Sequence, residues 1–257
     1  MVIPIPNQKG GVKKTTTVTH AGYVNAVFLK RKTLLIDLDP QKNTSSIYLP
    51  NYLQLSKEET IYAAFYEREL PIHKTRVENL DIVPSHLKMA NIDGELKGGI
   101  GAERILQKAI EKVKDNYDDI FIDCPPALGF ILVNALTAAN GIVIPISHAG
   151  FEIEGLTDLL ETFKKVKTNY NPSLKIIGLL QTMVDSTNLC TDFRKSLIAN
   201  YGNLVFKTSI SRSLPIMEAL NKKLTVFEYK TDLKTKDRIR NEYIEFTKEL
   251  FKRNYPS

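Results

Sequence analysis

The stretch Asn7-Gln8-Lys9-Gly10-Gly11-Val12-Lys13-Lys14-Thr15-Thr16-Thr17 holds the residue types best suited to chemistry in this chain. A loop that grips phosphate needs glycines, so that backbone N–H groups can converge on anionic oxygens. It also needs a lysine for the β- and γ-phosphates and a Ser or Thr hydroxyl for Mg²⁺. Gly10, Gly11, Lys14 and Thr15 supply those parts, and a helix starting here would turn its positive end to the same anion. Other chemistries have less support. His20, His73, His86 and His148 are scattered without ligand spacing, and no Ser–His or Cys–His motif offers a covalent nucleophile.

A phosphate loop works between a strand and a helix, so the surrounding elements decide whether the motif is meaningful. Val2–Pro6, Thr33–Asp37, Leu80–Pro84, Ile120–Asp123, Ile142–Ile146 and Lys175–Thr182 read as strands. They are continuous apolar runs, as expected of parallel strands buried on both faces. Between them, Ile105, Leu106, Ala109, Ile110 and Val113 share one helical face, and Ile153, Leu156, Leu160, Phe163 and Val166 share another. This alternation predicts an α/β fold: a doubly wound, mostly parallel sheet flanked by helices, with ligands at the carboxyl ends of the strands. No repeat, low-complexity tract or linker divides the chain, so residues 1–257 are expected to form one domain.

Composition narrows the class further. At 43% hydrophobic and 25% charged residues the chain is neither disordered nor fibrous. The best apolar run, Leu128 to Leu136, is interrupted by Asn134 and falls short of the roughly 18 residues that span a bilayer. There is no secretory signal pattern, and Cys124 and Cys190 are too far apart to suggest a disulfide framework. A cytoplasmic protein is expected. The net charge of +6 is uneven: Met1 to Leu189 carries 21 basic and 21 acidic residues, and Cys190 to Ser257 carries 14 and 8. A cationic C-terminal quarter suits a polyanionic partner such as DNA or an anionic membrane.

The loop resembles the KGGxxKT deviant Walker A motif of the ParA/MinD ATPases, with Lys9 as the additional first lysine. Leu34-Leu35-Ile36-Asp37-Leu38-Asp39-Pro40-Gln41 resembles the family's second motif, and Phe121-Ile122-Asp123-Cys124-Pro125-Pro126 its Walker B strand. Asn134–Ala139, Thr182–Asp185 and Val205–Thr208 match further segments. Asn-Gln before the loop and Asp-Pro-Gln after the second strand favour the ParA/Soj branch, and with no long extension before the loop the sequence resembles the short type, expected to lack an N-terminal helix-turn-helix.

The resemblance implies an ATP/ADP site with Mg²⁺, formed by Lys9, Gly10, Gly11, Val12, Lys13, Lys14, Thr15 and Thr16. Lys14 would bind β- and γ-oxygens, Thr15 would ligate Mg²⁺, and Asp37 and Asp123 would hold the metal through its waters. Asp39 would orient the attacking water, and Lys9 would reach across a nucleotide-sandwich homodimer. Thr182 and Met183 would lie beside adenine. The implied function is plasmid or chromosome partition, with ATP-dependent dimerisation, nonspecific DNA binding on the nucleoid and a ParB-like partner that stimulates hydrolysis. The alternatives are a MinD-like membrane-associated ATPase, or a nucleotide- or DNA-binding regulatory paralogue with impaired hydrolysis.

Several positions depart from the family pattern. Lys13 stands where the family has glycine; if that position has positive φ, a Cβ costs on the order of 1 kcal/mol. Pro4 and Pro6 lie in the first strand, two apart, so both missing N–H groups face the same neighbour and one ladder should weaken. Ile210–Ala219 resembles the family's IPRNVRLSEA segment, with Arg212 at its first arginine and Pro215 at the second, which is linked with DNA binding. Asp185-Ser186-Thr187-Asn188 lacks an arginine usual between its serine and threonine. DNA contact would then fall to Arg212, Lys222, Lys223, Lys234, Lys236 and Arg238. Ile239, Tyr243, Phe246 and Leu250 repeat at helical spacing amid basic residues; this stripe is expected to close onto the sheet rather than lie on a membrane.

Overall fold

The computed structural model describes residues 1–8, 11, 13–96, 98–148, 153–232 and 235–254. The first half runs β1 (Val2–Ile5), α1 (Lys14–Val27), β2 (Thr33–Asp37), α2 (Asn43–Tyr48), α3 (Ile61–Glu67), β3 (His73–Lys74), β4 (Leu80–Val83) and α4 (Ile92–Leu96). It continues through α5 (Ile105–Glu111), β5 (Asp119–Asp123), α6 (Phe130–Ala138), β6 (Gly141–Ile146), α7 (Ile153–Asn169), β7 (Lys175–Gln181), α8 (Asn188–Tyr201), α9 (Leu214–Asn221) and α10 (Thr235–Asn254). The six expected strands are present to within a residue at each end. β3 was not foreseen: two residues pairing antiparallel with β4 carry no periodic signal.

The strands form a five-stranded sheet of order β1-β5-β2-β4-β3 and a β6-β7 pair, parallel throughout except at β3. Every residue of β1, β2, β4, β5 and β6 is buried, which explains their unbroken apolar runs. One core joins the sheet to α3–α7, and the other joins the opposite face to α1, α2, α9 and α10. This is the expected doubly wound α/β arrangement.

The boundary between the two sheets falls where the prolines are. β1 keeps its ladder with β5 but makes none with β6 among the described residues. Residues two apart on a strand turn their N–H groups the same way, so Pro4 and Pro6 remove the donors on one side only. Pro145 inside β6 adds a third loss. The seam is closed by asparagines instead. Val2 and Asn140 exchange N–H to Oδ1 at 2.7 Å and N–H to carbonyl at 2.9 Å, and Asn7 Nδ2 donates to the Pro145 carbonyl at 2.6 Å.

Helix α10 is docked as expected. Ile239, Tyr243, Phe246 and Leu250 have no exposed surface, each burial contributing about 1.5–3 kcal/mol. Tyr243 stacks on His20 of α1 with ring centroids 4.7 Å apart. The stripe a membrane would need is therefore occupied by the protein's own core. Among the described residues no helix is long and apolar enough to cross a membrane.

Candidate nucleotide site

α1 begins directly after β1, against the carboxyl ends of β2 and β5. Its approach is close: a Cβ on Gly22 would lie 2.6 Å from a Leu35 side-chain carbon, so any other residue there would have to displace the Leu35 side chain. No side chain caps the start of α1, and its first turn holds no acidic residue. The N–H groups and positive dipole end are thus left for an external anion.

A cleft of about 400 Å³ opens at this helix end. Lys13, Lys14, Thr15 and Thr16 line it from the loop and α1, Asp39, Asn43 and Ser46 from the segment after β2, and Lys223 from the turn after α9. Gly11 also lines it, with φ +81°. Lys9, Gly10 and Val12 lie outside the described residues. Lys13 has φ 67° and ψ 33°, the left-handed conformation that a residue with a Cβ adopts at a cost of about 1–2 kcal/mol. Burial is the larger cause that lowers the Lys13 pKa, and the nearby Arg212 adds to it. Lys14 is buried, which lowers its pKa, while Asp123, Cys124 and Asp39 pull it back.

Asp37 and Asp123 sit side by side at the carboxyl ends of β2 and β5, in parallel register. Both are fully buried. Asp37 is saturated: Oδ2 accepts the Ser45 hydroxyl at 2.7 Å and the Ser45 N–H at 2.8 Å, and Oδ1 accepts the Asp39 N–H at 3.1 Å. Burial, then the Asp123 charge, raises its pKa well above the carboxylate range. Asp123 Oδ2 accepts the Thr44 hydroxyl at 2.7 Å, but among the described residues the buried Oδ1 has no hydrogen-bond partner. Burial pushes Asp123 up to about 6, opposed by the Thr44 and Thr15 hydroxyls.

An orphaned buried carboxylate oxygen beside a threonine hydroxyl fits a hydrated divalent cation. Among the described residues no three His, Cys, Asp or Glu side chains converge into a metal cage. Mg²⁺ keeps several waters and takes further ligands from phosphate, so one carboxylate and one hydroxyl can suffice for it. Asp39 is nearly buried and faces the same cleft, its Oδ1 held by the Gln41 N–H at 2.9 Å. Cys124 is buried, and burial pushes its thiol pKa far above the ordinary value, consistent with packing.

The remaining predicted residues divide into groups. Thr182 and Met183 do not line the cleft; the Thr182 N–H donates to the Ile146 carbonyl at 2.7 Å, and Met183 has φ 58°. Of the basic candidates, Lys223 lines the cleft, and Arg212 is near enough to Lys13 for its charge to lower the Lys13 pKa. Lys222 and Arg238 are exposed and Lys236 is half-buried, with Arg238 3.7 Å from Glu242. Lys234 lies outside the described residues. Much of the C-terminal excess is structural: Arg194, Arg240 and Arg253 donate to main-chain carbonyls.

A sequence model described as an AAA domain matches residues 1–176. The sporulation initiation inhibitor protein Soj of Bacillus subtilis is 40% identical over 225 residues, covering 85% of this chain and 87% of that protein. The chain belongs to the ParA/Soj family of partition ATPases. The chromosome partitioning protein ParA of Caulobacter vibrioides is 36% identical, covering 85% of this chain and 83% of its own length. Among solved structures, cobyrinic acid a,c-diamide synthase of Mycobacterium smegmatis, with bound ADP and magnesium, superposes with a TM-score of 0.78 at 28% identity, covering 97% of this chain and 93% of that one. A Borrelia burgdorferi plasmid partition protein bound to AMPPNP has a TM-score of 0.80 at 23% identity, covering 98% of each chain, and shares the fold. The ParA/Soj assignment agrees with the position of the phosphate loop between β1 and α1.

Proposed function

We propose that this protein, with residues 1–257 acting as one unit, is an ATP-driven partition switch that dimerises on ATP, binds DNA without sequence preference and is reset by a ParB-like partner. The observation that carries the reading is the cleft itself: the start of α1, Lys14 and Asp39 line one space, with the paired Asp37 and Asp123 buried at the ends of β2 and β5. Lys14 meets the β- and γ-phosphates. Thr15 would ligate the metal, and Asp123, with Asp37 behind it, would hold it through its waters. Mg²⁺ in that position would neutralise charge on the phosphates. Asp39 orients the attacking water, and Lys9 completes the site of the opposite protomer. Gly10, Gly11, Val12, Lys13 and Thr16 shape the loop, and a base extending beyond the cleft's lining would reach Thr182 and Met183.

DNA contact rests on Lys222, Lys234, Lys236 and Arg238, with action on the nucleoid as the consequence. The buried stripe of α10 supports this over a membrane-bound reading. The strained Lys13 supports slow turnover, because a loop held in the left-handed region is less free to adjust as charge redistributes. Light scattering of Asp39→Ala with ATP tests the reading: a long-lived dimer is expected, and a strictly monomeric protein would reject the sandwich.

A further inference from the structure

Lys13 and Lys223 are far apart in sequence, yet they line the same cleft. Both have a left-handed backbone, with φ 67° and 57°. Neither has a carboxylate within ion-pair reach among the described residues; the Lys223 ammonium instead lies 5.9 Å from the Tyr52 ring centroid, and Lys42 lies 5.5 Å from the same ring. Two lysines in an unfavourable conformation, aimed at one cavity without counter-charge, make a cradle whose anion comes from outside.

The turn that carries Lys223 is fastened to both sides of the site. Arg76 donates to Glu228 at 2.7 and 3.0 Å, to the Lys223 carbonyl at 3.4 Å and to the carbonyl of Ile47, another lining residue, at 2.5 Å. One guanidinium thus ties the turn to the end of α2. Further along, the Val226 N–H donates to His20 Nε2 at 3.0 Å, reaching α1, and Arg240 of α10 donates to the Val226 and Phe227 carbonyls at 3.1 and 2.5 Å. The turn is a short link between the phosphate cleft and the helix that bears Lys236 and Arg238.

We propose that Lys223 is a phosphate-binding residue of the cleft that senses the third phosphate of a nucleoside triphosphate and draws the α9–α10 turn onto the loop when it is bound. The inference rests on the nucleotide reading of the cleft and adds a residue that this reading did not use. With the loop on the β-phosphate and Lys14 bridging the β- and γ-phosphates, the outer oxygens of the third phosphate fall to the rest of the cleft, where Asp39 and Lys223 stand. A diphosphate leaves that region empty. Lys223 therefore discriminates between the two nucleotides, and its movement shifts the basic end of α10.

Calorimetric titration of the whole protein with a non-hydrolysable ATP analogue and with ADP, both with Mg²⁺, tests this. Lys223→Gln should weaken the triphosphate analogue about tenfold and leave ADP within about twofold, since one charge-assisted contact is lost. Lys223→Arg should restore most of the difference. Lys223→Gly should relieve the backbone and raise the melting temperature, yet bind the triphosphate as poorly as Lys223→Gln, which separates charge from strain. Equal loss for both nucleotides, or none for either, would overturn the proposal while leaving the cleft reading intact. Failure of the unmodified protein to bind either nucleotide would overturn the cleft reading and the Lys223 role with it.

Discussion

Asp123 stands beside Asp37 in the parallel register of β5 and β2, and the two carboxylates differ in what they have left to offer. Asp37 accepts from Ser45 and Asp39 with both oxygens and so shapes the loop that presents Asp39. Among the described residues, Asp123 keeps one buried oxygen unpaired. The division assigns Asp37 mainly to positioning and Asp123 to the metal-bound water.

Substitution should separate these roles. Asp123→Asn retains an oxygen for Thr44 and removes a buried charge, so the nucleotide-free protein should melt at or above the original temperature. It should lose the additional stabilisation by Mg²⁺ with nucleotide. Asp37→Asn should instead destabilise the free protein by about 1–3 kcal/mol, because an amide cannot accept both Ser45 donors and the Asp39 N–H equally well. Melting curves with and without Mg²⁺–ATP check both; identical behaviour of the two variants would contradict the division.

Lys13→Gly should raise stability by about 1 kcal/mol by removing the cost of a Cβ at φ 67°. With the loop relaxed, ATP affinity or turnover should also rise. If thermal melting shows the stability gain but nucleotide binding and phosphate release stay level or fall, the Lys13 ammonium is itself a useful part of the site.

His20 gives the protein a defined acid sensitivity. Its Nδ1 lies 2.8 Å from the Thr16 carbonyl and its Nε2 accepts the Val226 N–H, a pattern that only the neutral ring satisfies. Burial pushes its pKa down to about 4 from 6.5. A depressed histidine contributes stability that is fully present above the unfolded value and is lost as pH falls through the folded one. Relative to His20→Gln, the unmodified protein should therefore lose on the order of 3 kcal/mol between pH 6.5 and pH 4. Denaturant unfolding of both across that range gives the difference; parallel profiles would contradict it.

The basic residues should not act alike on DNA. Lys236→Glu and Arg238→Glu should weaken DNA binding and flatten its salt dependence, because phosphate contacts release counterions. Charge reversal at Lys223 should act mainly through nucleotide affinity, since it lines the cleft. Fluorescence anisotropy of each variant on a labelled duplex distinguishes them.

Much of this was legible in the sequence because it depends on neighbours along the chain. The strands are buried on both faces and read as apolar runs; the phosphate loop is contiguous; Lys13 betrays its conformation by replacing glycine. The prolines at 4 and 6 predicted a one-sided loss of pairing, and the sheet divides there, with Pro145 reinforcing a break that β1 alone only suggested. What stayed hidden is tertiary. Lys223 read as part of a basic tail, whereas the return of the chain after β7 puts it at the phosphate cleft, and Arg212 is near enough for its charge to lower the Lys13 pKa. Arg194, Arg240 and Arg253 counted as free charge until their carbonyl partners were seen.

The central claim, a nucleotide-gated grip on DNA, is tested most directly by the affinity of the unmodified protein for a random duplex, measured by anisotropy at two salt concentrations with and without Mg²⁺–ATP. Binding should be strong with ATP at low salt, fall steeply as salt rises, and be weak without nucleotide. Affinity that is the same with and without ATP, or absent at low salt in both cases, would contradict the account.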